Sequence, residues 1–507
     1  MENQSFDVVV VGRGPVGLFL ACELRLAGLS VLVVERRTSA PHAEGVAETR
    51  AFVMHSRTLE IFAFRGLLDK FIQEGVKSDW WHYGVLDTRL DYSVFGDETK
   101  QNYVLLVPQY RTEEILLRYA EELGVVVVTG IRIESVEPFP ESAMVHGVSV
   151  SSDGSTGGTP FKARGKFVVG ADGVRSTVRK SAGIAFPGSP ATHTGMTGEA
   201  TLGVPMPNPY IVHNSSGLII GAQLMIPSGR ARLGVFTPSR AHVSESTPVT
   251  LEDFNQALKE VAGIDYKLSN PCMLRRFHNE ARCAEVYRKH GRIFLVGDAA
   301  HQHLPAGGQG LNLGLQEAFN LGWKLAAVIR GYGPDSLLDT YEAERRPIAL
   351  DVVENTTAQS LLFFVSTRPE WAIRKAMNKM LQVPEANRAL AEQISCLGVS
   401  YPKPLDMIIP SGWEPLPEAV AGKRALDVKF SLGNGEEKYL SEFTRTGKWV
   451  QIRFIEKLRG EPPTPAFDGM TEMVDVRDIL EGVASLYRCG YREILIRPDC
   501  YLGFGRR

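Results

Sequence analysis

The chain has 507 residues, too many for one hydrophobic core, so two or three domains are expected. A hydrophobic share of 44% and a charged share of 22% are ordinary for a globular protein, and a net charge of −2 gives no electrostatic footprint for nucleic acid. No uninterrupted apolar stretch is long enough to span a bilayer. Met1-Glu2-Asn3-Gln4-Ser5 carries no basic region ahead of the first apolar run, which points to a cytoplasmic protein.

Phe6 to Val11 is an apolar run that reads as a buried strand. Gly12-Arg13-Gly14-Pro15-Val16-Gly17 follows at once, Leu18 to Ala27 has helical spacing up to Gly28, and Val31 to Val34 ends on Glu35. Strand, glycine turn, helix, strand and acid come in the order that a dinucleotide-binding βαβ unit requires. Gly12 permits the tight turn, Gly14 lets backbone approach a pyrophosphate, and Gly17 allows close helix packing. Gly12, Gly14, Pro15, Val16 and Gly17 are therefore candidate cofactor-binding residues, with Glu35 placed to accept from a ribose diol. The motif alone does not say which dinucleotide binds.

Arg36 to Glu48 is polar and reads as a loop, and Thr49 to Phe64 has helical spacing. Val76 to Tyr103 suggests β-structure with exposed aromatic material, and Trp80-Trp81-His82 reads as core or domain-interface material rather than a substrate clamp. Val104 to Val107 is a strand, Arg111 to Leu123 a helix, Gly124 to Thr129 a strand, and Ser151 to Pro160 a hairpin tip. Phe167 to Gly173 is a strand running into a turn, followed by a helix over Ser176 to Ala182. From Gly183 to about Arg288 the alternating pattern predicts an antiparallel sheet with one helix over Leu251 to Val261, a candidate substrate-binding insertion.

Arg292 to Val296 restores the buried-strand pattern, a long helix covers Leu311 to Ile329, and helices continue to about Ser395. Past Pro402 and Pro404 a third block has strands at Trp449–Phe454, Thr471–Val476 and Glu493–Arg497, a helix over Ile479 to Tyr487, and a β-turn at Arg497-Pro498-Asp499-Cys500. Cys22, Cys272, Cys283, Cys396, Cys489 and Cys500 are scattered with no CxxC pair, so free thiols are expected rather than a zinc site, redox dithiol or disulfide framework.

A second glycine-bearing stretch carries the chemistry. Gly297-Asp298-Ala299-Ala300-His301 follows a buried strand, and Pro305-Ala306-Gly307-Gly308-Gln309-Gly310-Leu311-Asn312 opens the long helix. Asp298 at a strand end can bind a polyol hydroxyl, and the glycines let backbone approach a flat ring. The helix N-terminus supplies N–H donors that would stabilise the negative charge of a reduced flavin. His301 and His303 have no carboxylate-rich ligand set beside them, so no metal is expected.

The glycine turn at 12–17, Gly170-Ala171-Asp172-Gly173 and the GDAAH at 297–301 together resemble the para-hydroxybenzoate hydroxylase-like, class A flavin monooxygenases over roughly residues 5–395. The run from His303 to Asn312, with Asn320-Leu-Gly-Trp-Lys-Leu and Tyr341-Glu-Ala-Glu-Arg-Arg-Pro, is similar to the aromatic polyketide hydroxylases and rifampicin monooxygenase. The resemblance implies an α/β fold: a Rossmann-like FAD-binding domain (1–75, 104–182 and 289–395), an inserted α+β antiparallel-sheet substrate domain (76–103 and 183–288) and a C-terminal thioredoxin-like domain (405–507).

It also implies residue roles. Glu35 meets the adenosine ribose with Arg36 beside it, Arg50 the pyrophosphate side, and Gln109 and Arg111 the region near the ribityl chain. Asp298 holds ribityl hydroxyls, Gly308, Gly310, Leu311 and Asn312 lie at the isoalloxazine edge, and Asp172 serves FAD and nicotinamide handling. Arg13 departs from the small residue of many relatives, and its side chain is expected to face solvent.

The implied activity is FAD-dependent, NAD(P)H- and O2-consuming hydroxylation of a small aromatic, phenolic substrate through a flavin C4a-hydroperoxide. Pro305 makes a backbone contact near the reacting oxygen, and no acid or base is assigned. Baeyer–Villiger insertion, epoxidation and a non-catalytic flavin-binding scaffold stay open, as does a monomer or homodimer.

Overall fold

The computed structural model describes residues 5–38, 51–150, 156–223, 229–401, 405–458, 464–481, 487 and 490–507. The β-branched run Val8–Val11 is at most 4% exposed and forms the middle of a strand, Ser5–Val11. Burial on both faces is what a continuous valine run requires. Among the described residues the central sheet has eight strands, with Ser5–Val11 parallel to Val31–Val34 on one side and to Thr156–Gly170 on the other. Val126–Val128 and Ile293–Leu295 extend it, both in parallel pairing.

In chain order the helices are α1 (Pro15–Leu26), α2 (Ser56–Phe64), α3 (Leu68–Gln73), α4 (Gln109–Glu122), α5 (Thr177–Ser181) and α6 (Leu251–Ala262). They continue with α7 (Gln309–Ile329), α8 (Asp339–Phe363), α9 (Arg368–Met380), α10 (Pro384–Ser395) and α11 (Leu440–Phe443). Gly314 lets α7 dock on the glycine turn, since a Cβ there would lie 2.7 Å from Val16 Cγ2 and 3.0 Å from Gly297 Cα.

The insertion is antiparallel as its alternation predicts, with strands ordered Tyr210–Asn214, Gly217–Ala222, Arg230–Phe236, Thr194–Thr201 and Ser269–His278. Helix α6 covers one face through Phe254, Ala257, Leu258 and Val261. Its start is set by Thr250, whose hydroxyl accepts the Asp253 N–H at 3.0 Å, and its end by Gly263 at φ 72°.

A seven-stranded sheet forms the C-terminal block, antiparallel except where Trp449–Phe454 runs parallel to Thr471–Glu481. One cluster of buried apolar side chains runs from Val9 and Phe319 into Val450 and Ile494, so this block shares a core with the central sheet.

Three local expectations are corrected. The helix predicted from Thr49 starts at Ser56, because Val53–Met54 pairs with Val104–Leu106 as a strand; Thr49 and Arg50 lie outside the described residues. The helix predicted over Ile479–Tyr487 is strand through Glu481, with Val474, Val476 and Ile479 turned inward and Ile479 opposite Phe430; residues 482–486 lie outside the described residues. Trp81, Tyr83 and Tyr92 are at most 8% exposed, because the short strands Trp80–Trp81 and Leu90–Asp91 pack against α10 and the end of α8. Residues 151–155 of the expected hairpin tip, Pro402, Pro404 and Cys489 also fall outside the described residues.

Candidate active site

Strand order reverses between Ser5–Val11 and Thr156–Gly170, and their carboxyl ends open into one cleft of about 1650 Å³. A reversal of this kind leaves a crevice that the crossing helices do not fill. Small-molecule pockets commonly measure about 300–1,000 Å³, so this one has room for a dinucleotide and a second molecule.

The three motif glycines do different things. Gly12 sits at φ 109°, and a Cβ there would lie 2.3 Å from the Ala171 carbonyl oxygen. A Cβ on Gly17 would meet the Gly12 oxygen at 2.1 Å, so this residue lies behind the cleft wall and seats α1 on the turn. Gly14 is the reverse: no described atom lies within 4 Å of a Cβ built on it, and its bare backbone lines the cleft. Gly14 is also the N-cap of α1, with no side chain capping the helix and Pro15 next in line. Uncapped N–H groups and the positive end of a helix at an open approach are suited to holding a phosphate.

Glu35 is held in place from two sides. Its carboxylate accepts the Arg13 N–H at 2.9 Å and the Arg37 N–H at 2.8 Å, and Arg37 Nε lies 3.3 Å away. Burial pushes its pKa up, but the Arg37 charge and these N–H donors outweigh it, so the carboxyl titrates below its ordinary range. Arg37 also reaches Glu113 at 3.1 Å, and Gln109 Nε2 donates to Glu113 at 2.9 Å. Arg13 is 6% exposed rather than in solvent; burial and the Arg37 charge lower its pKa against the pull of Glu35 and Glu113.

The second stretch forms the opposite wall. Asp298 lies exposed in the cleft at the end of Ile293–Leu295, on a turn held by Glu317 of α7. Glu317 accepts the Gly297 N–H at 2.7 Å and pairs with His301 Nε2 at 3.1 Å, with both side chains fully buried. Burial disfavours a charged His301, but the Glu317 carboxylate outweighs it and raises the imidazole pKa.

Helix α7 starts at the cleft, where Pro305, Gly308, Gly310 and Leu311 form the lining and no side chain caps the first turn. Asn312 turns inward instead: Nδ2 donates to Gly308 O at 2.8 Å and Val53 O at 2.9 Å, and Oδ1 accepts the His55 N–H at 2.8 Å. His303 lines the cleft beside Gly310; its Nδ1 donates to Leu304 O at 2.8 Å, and burial lowers its pKa to about 4.

Beyond Pro305 the five-stranded sheet supplies the wall, including Thr197, Ile220, Leu274 and Arg276. Facing it are His82 and Phe363. His82 is 9% exposed, its Nδ1 has no hydrogen-bond partner among the described residues, and its ring packs against Trp81 and Phe363. Burial first, then the Arg89 charge, lowers its pKa to about 3, so the ring stays neutral. Trp81 and His82 thus contribute to the cleft, with Trp81 also in the core.

Of the residues singled out in the sequence, Gly12, Gly14, Pro15, Val16, Glu35, Arg36, Gln109, Asp172, Asp298, Pro305, Gly308, Gly310 and Leu311 meet at this cleft. Asp172 is spent largely on capping α5, accepting from Ser176 Oγ, Thr177 N and Val178 N at 2.5–3.1 Å; burial nevertheless keeps its pKa raised. Arg111 is not brought to the cleft lining: it pairs with Glu114 at 2.8 Å and Glu74 at 3.4 Å on the outer face of α4. Arg50 lies outside the described residues.

Arg37, Glu113, His55 and Glu317 have no place among the sequence candidates, and His82 is there only as core or interface material. Only Arg37 had a local signal, its place two residues after the strand-end acid. Two uncapped helix ends, an unobstructed glycine between them, an anchored acid at one end and an exposed aspartate at the other fit an elongated ligand with an anionic middle. FAD has that form.

Residues 5–356 match the FAD binding domain family. The chain is similar to the 12-dehydrotetracycline 5-monooxygenase/anhydrotetracycline 6-monooxygenase of Streptomyces rimosus subsp. rimosus, 39% identical over 508 residues that cover 98% of this chain and 94% of the relative. It is 40% identical to a rifampicin monooxygenase of Streptomyces venezuelae over 403 residues, 78% of this chain and 79% of the relative. Among solved structures, the OxyS anhydrotetracycline hydroxylase from Streptomyces rimosus matches with a TM-score of 0.84 at 36% identity, covering 99% of this chain and 96% of that one.

Proposed function

The chain belongs to the FAD-binding-domain family as a class A, FAD-dependent aromatic monooxygenase, and from that premise we propose that it hydroxylates a planar, phenolic, polyketide-like substrate with NAD(P)H and O2. The observation that carries this reading is the continuity of one cleft from Gly14, past the start of α7, to a wall of antiparallel strands faced by His82 and Phe363. FAD, when bound, supplies hydride acceptance from NAD(P)H and activation of O2.

The residues of the chain bind, orient and exclude water. Gly14, Pro15 and Val16 take the pyrophosphate at the α1 N-terminus, with Gly12 and Gly17 building that turn. Glu35 takes the adenosine ribose with Arg36 alongside, and Asp298 the ribityl hydroxyls. Gln109 braces the wall through Glu113, Asp172 holds the start of α5, and Arg50 is kept on the pyrophosphate side from its motif alone. Gly308, Gly310 and Leu311, at the uncapped start of α7, would hold the flavin ring, and the positive helix end would favour its reduced, anionic form. The Pro305 backbone borders the position of the reacting oxygen. Neutral His82 hydrogen-bonds a substrate hydroxyl.

On this reading 1–75, 104–182 and 289–395 form the FAD-binding domain, 76–103 and 183–288 the substrate domain, and 405–507 a thioredoxin-like block without dithiol chemistry. Dependence on NAD(P)H fits a cytoplasmic setting. No helix among the described residues is long and apolar enough to cross a membrane.

The test is NADPH and NADH oxidation by the purified yellow protein, with and without anhydrotetracycline and other planar phenols, under 18O2. Stimulated oxidation with one 18O gained by the ring supports hydroxylation, and product NMR separates a phenol from an ester or epoxide. If no phenol in the panel raises oxidation or gains oxygen, the proposed substrate class is wrong. Asp298→Ala should release FAD; a fully flavinated variant would remove the role given to that residue.

A further inference from the structure

The loop that opens α7 contains two successive glycines, Gly307 and Gly308, both at φ 71°. The peptide between them carries no side chain on either side and could be turned over at little steric cost. Two side-chain donors fix its oxygen, and a third fixes the carbonyl that follows. His55 Nε2 donates to Gly307 O at 2.7 Å and Trp81 Nε1 donates to the same oxygen at 3.0 Å. Asn312 Nδ2 donates to the next carbonyl, Gly308 O, at 2.8 Å. A carbonyl can only accept, so His55 carries its proton on Nε2 and presents a bare Nδ1, which accepts from Tyr92 Oη at 2.8 Å. His55 and Tyr92 are fully buried, their rings stack at 6.1 Å, and Trp81 meets His55 edge-on at 6.2 Å.

We propose that His55, Tyr92 and Trp81 are positioning residues that hold the Gly307 carbonyl away from the flavin and so set the electron affinity of bound FAD. The physical basis is the sign of the dipoles. Helix α7 presents its uncapped N-terminal end to the cleft, with Gly308, Gly310 and Leu311 in the lining. A Gly307 oxygen turned into that space would set the negative end of a peptide dipole against the ring that must accept electrons. Two hydrogen bonds to one buried oxygen remove that alternative before the cofactor arrives. Burial holds His55 neutral, with a pKa near 4, so the arrangement persists across the neutral range.

This inference rests on the flavin ring lying at the start of α7, as proposed above. Trp81→Phe deletes one donor to Gly307, and Tyr92→Phe deletes the group that fixes the His55 tautomer; both keep the ring volume. In the FAD-loaded protein each should move the flavin midpoint potential to more negative values, Trp81→Phe further than Tyr92→Phe, and each should weaken FAD binding by about fivefold, the worth of one net hydrogen bond. Phe95→Leu loosens the same cluster, since Phe95 packs edge-on against Tyr92 at 5.6 Å, but removes no hydrogen bond. It should lower the melting temperature and leave the potential unmoved.

Wild-type potentials in both clamp variants, or a shift to positive values, would overturn the inference, as would a Phe95→Leu shift equal to theirs. Gly310→Val tests the premise separately, because it puts a branched side chain at the first turn of α7. If that variant keeps FAD with an unchanged spectrum, the ring placement is wrong. If it loses FAD while the clamp variants keep the wild-type potential, only the clamp fails.

Discussion

Glu317, in the middle of the α7 wall, accepts the backbone N–H of Gly297 at 2.7 Å, and neither partner is open to solvent. That bond ties the strand end carrying Asp298 to the helix that begins at Gln309, and His301 Nε2 completes the pair at 3.1 Å. Glu317→Leu leaves a buried N–H and an imidazole without their acceptor, which should cost about 3–5 kcal/mol in urea unfolding. Glu317→Gln keeps an acceptor for Gly297 and should cost about 1–2 kcal/mol. Both should lose FAD affinity in that order, measured by flavin fluorescence on titrating the apoprotein.

Two glycines of one motif should fail in different ways. A Cβ on Gly12 collides with Ala171 O at 2.3 Å and φ is 109°, so Gly12→Ala should impair folding itself. Gly14 has φ −70° and open space ahead of it, so Gly14→Val should fold with an apoprotein melting temperature near wild type yet bind FAD at least about tenfold more weakly. Calorimetry of the apoproteins with FAD titration checks both. An unstable Gly14→Val apoprotein, or one with intact FAD affinity, would contradict the assignment of that space to the pyrophosphate.

His82 is neutral and nearly buried, and its Nδ1 has no partner among the described residues, so a substrate hydroxyl is its expected partner. His82→Leu should raise KM for a turned-over phenol by about fivefold with a smaller change in kcat, and His82→Gln should recover part of it. With a pKa near 3, the ring does not titrate between pH 6 and 8, so the KM ratio of His82→Leu to wild type should be the same at both. A ratio that changes across that range would show a charged histidine instead.

The C-terminal block is joined to α7 and α8 by buried charge. Glu344 meets Arg497 at 2.9 Å and Lys324 at 2.6 Å, and Arg497 meets Asp499 at 2.7 Å. Burial raises the Glu344 pKa, but Arg497 and then Lys324 outweigh it and bring it to about 2, against an ordinary 4.5. The folded state therefore binds fewer protons than the unfolded state below pH 4.5. The stability that Glu344 contributes is present above the ordinary carboxyl range and is lost as pH falls through the lowered value. Urea unfolding at pH 7, 5 and 4 should show this loss beginning in wild type, whereas Glu344→Gln should be less stable at pH 7 and fall less steeply in acid.

Short-range patterns carried much of the architecture. Val8–Val11, the glycine turn, the apolar face of α6 and the Arg497–Cys500 turn are each specified within about ten residues, so they read correctly from the sequence. Local reading went wrong where pairing partners lie far along the chain. Val53 and Met54 continue the spacing of the helix after them, but their backbone pairs with Leu106 and Leu105. Ile479 looks helical with its successors, yet a register shift opposite Ser431–Leu432 turns it inward as strand.

The sequence by itself determined the family and the two glycine stretches, because a backbone that must approach a phosphate or a flat ring tolerates few residue types. Tertiary structure alone decided which polar side chains serve the cleft. Arg111 has the composition of a binding residue but faces Glu74 and Glu114 outside, while Asn312 turns from the cleft to hold Val53 and Gly308. His55 meets Gly307 across 252 positions, and Trp81 meets it across 226. A buried polar atom must find a partner wherever the fold supplies one, so its role is fixed by distances that no local pattern encodes.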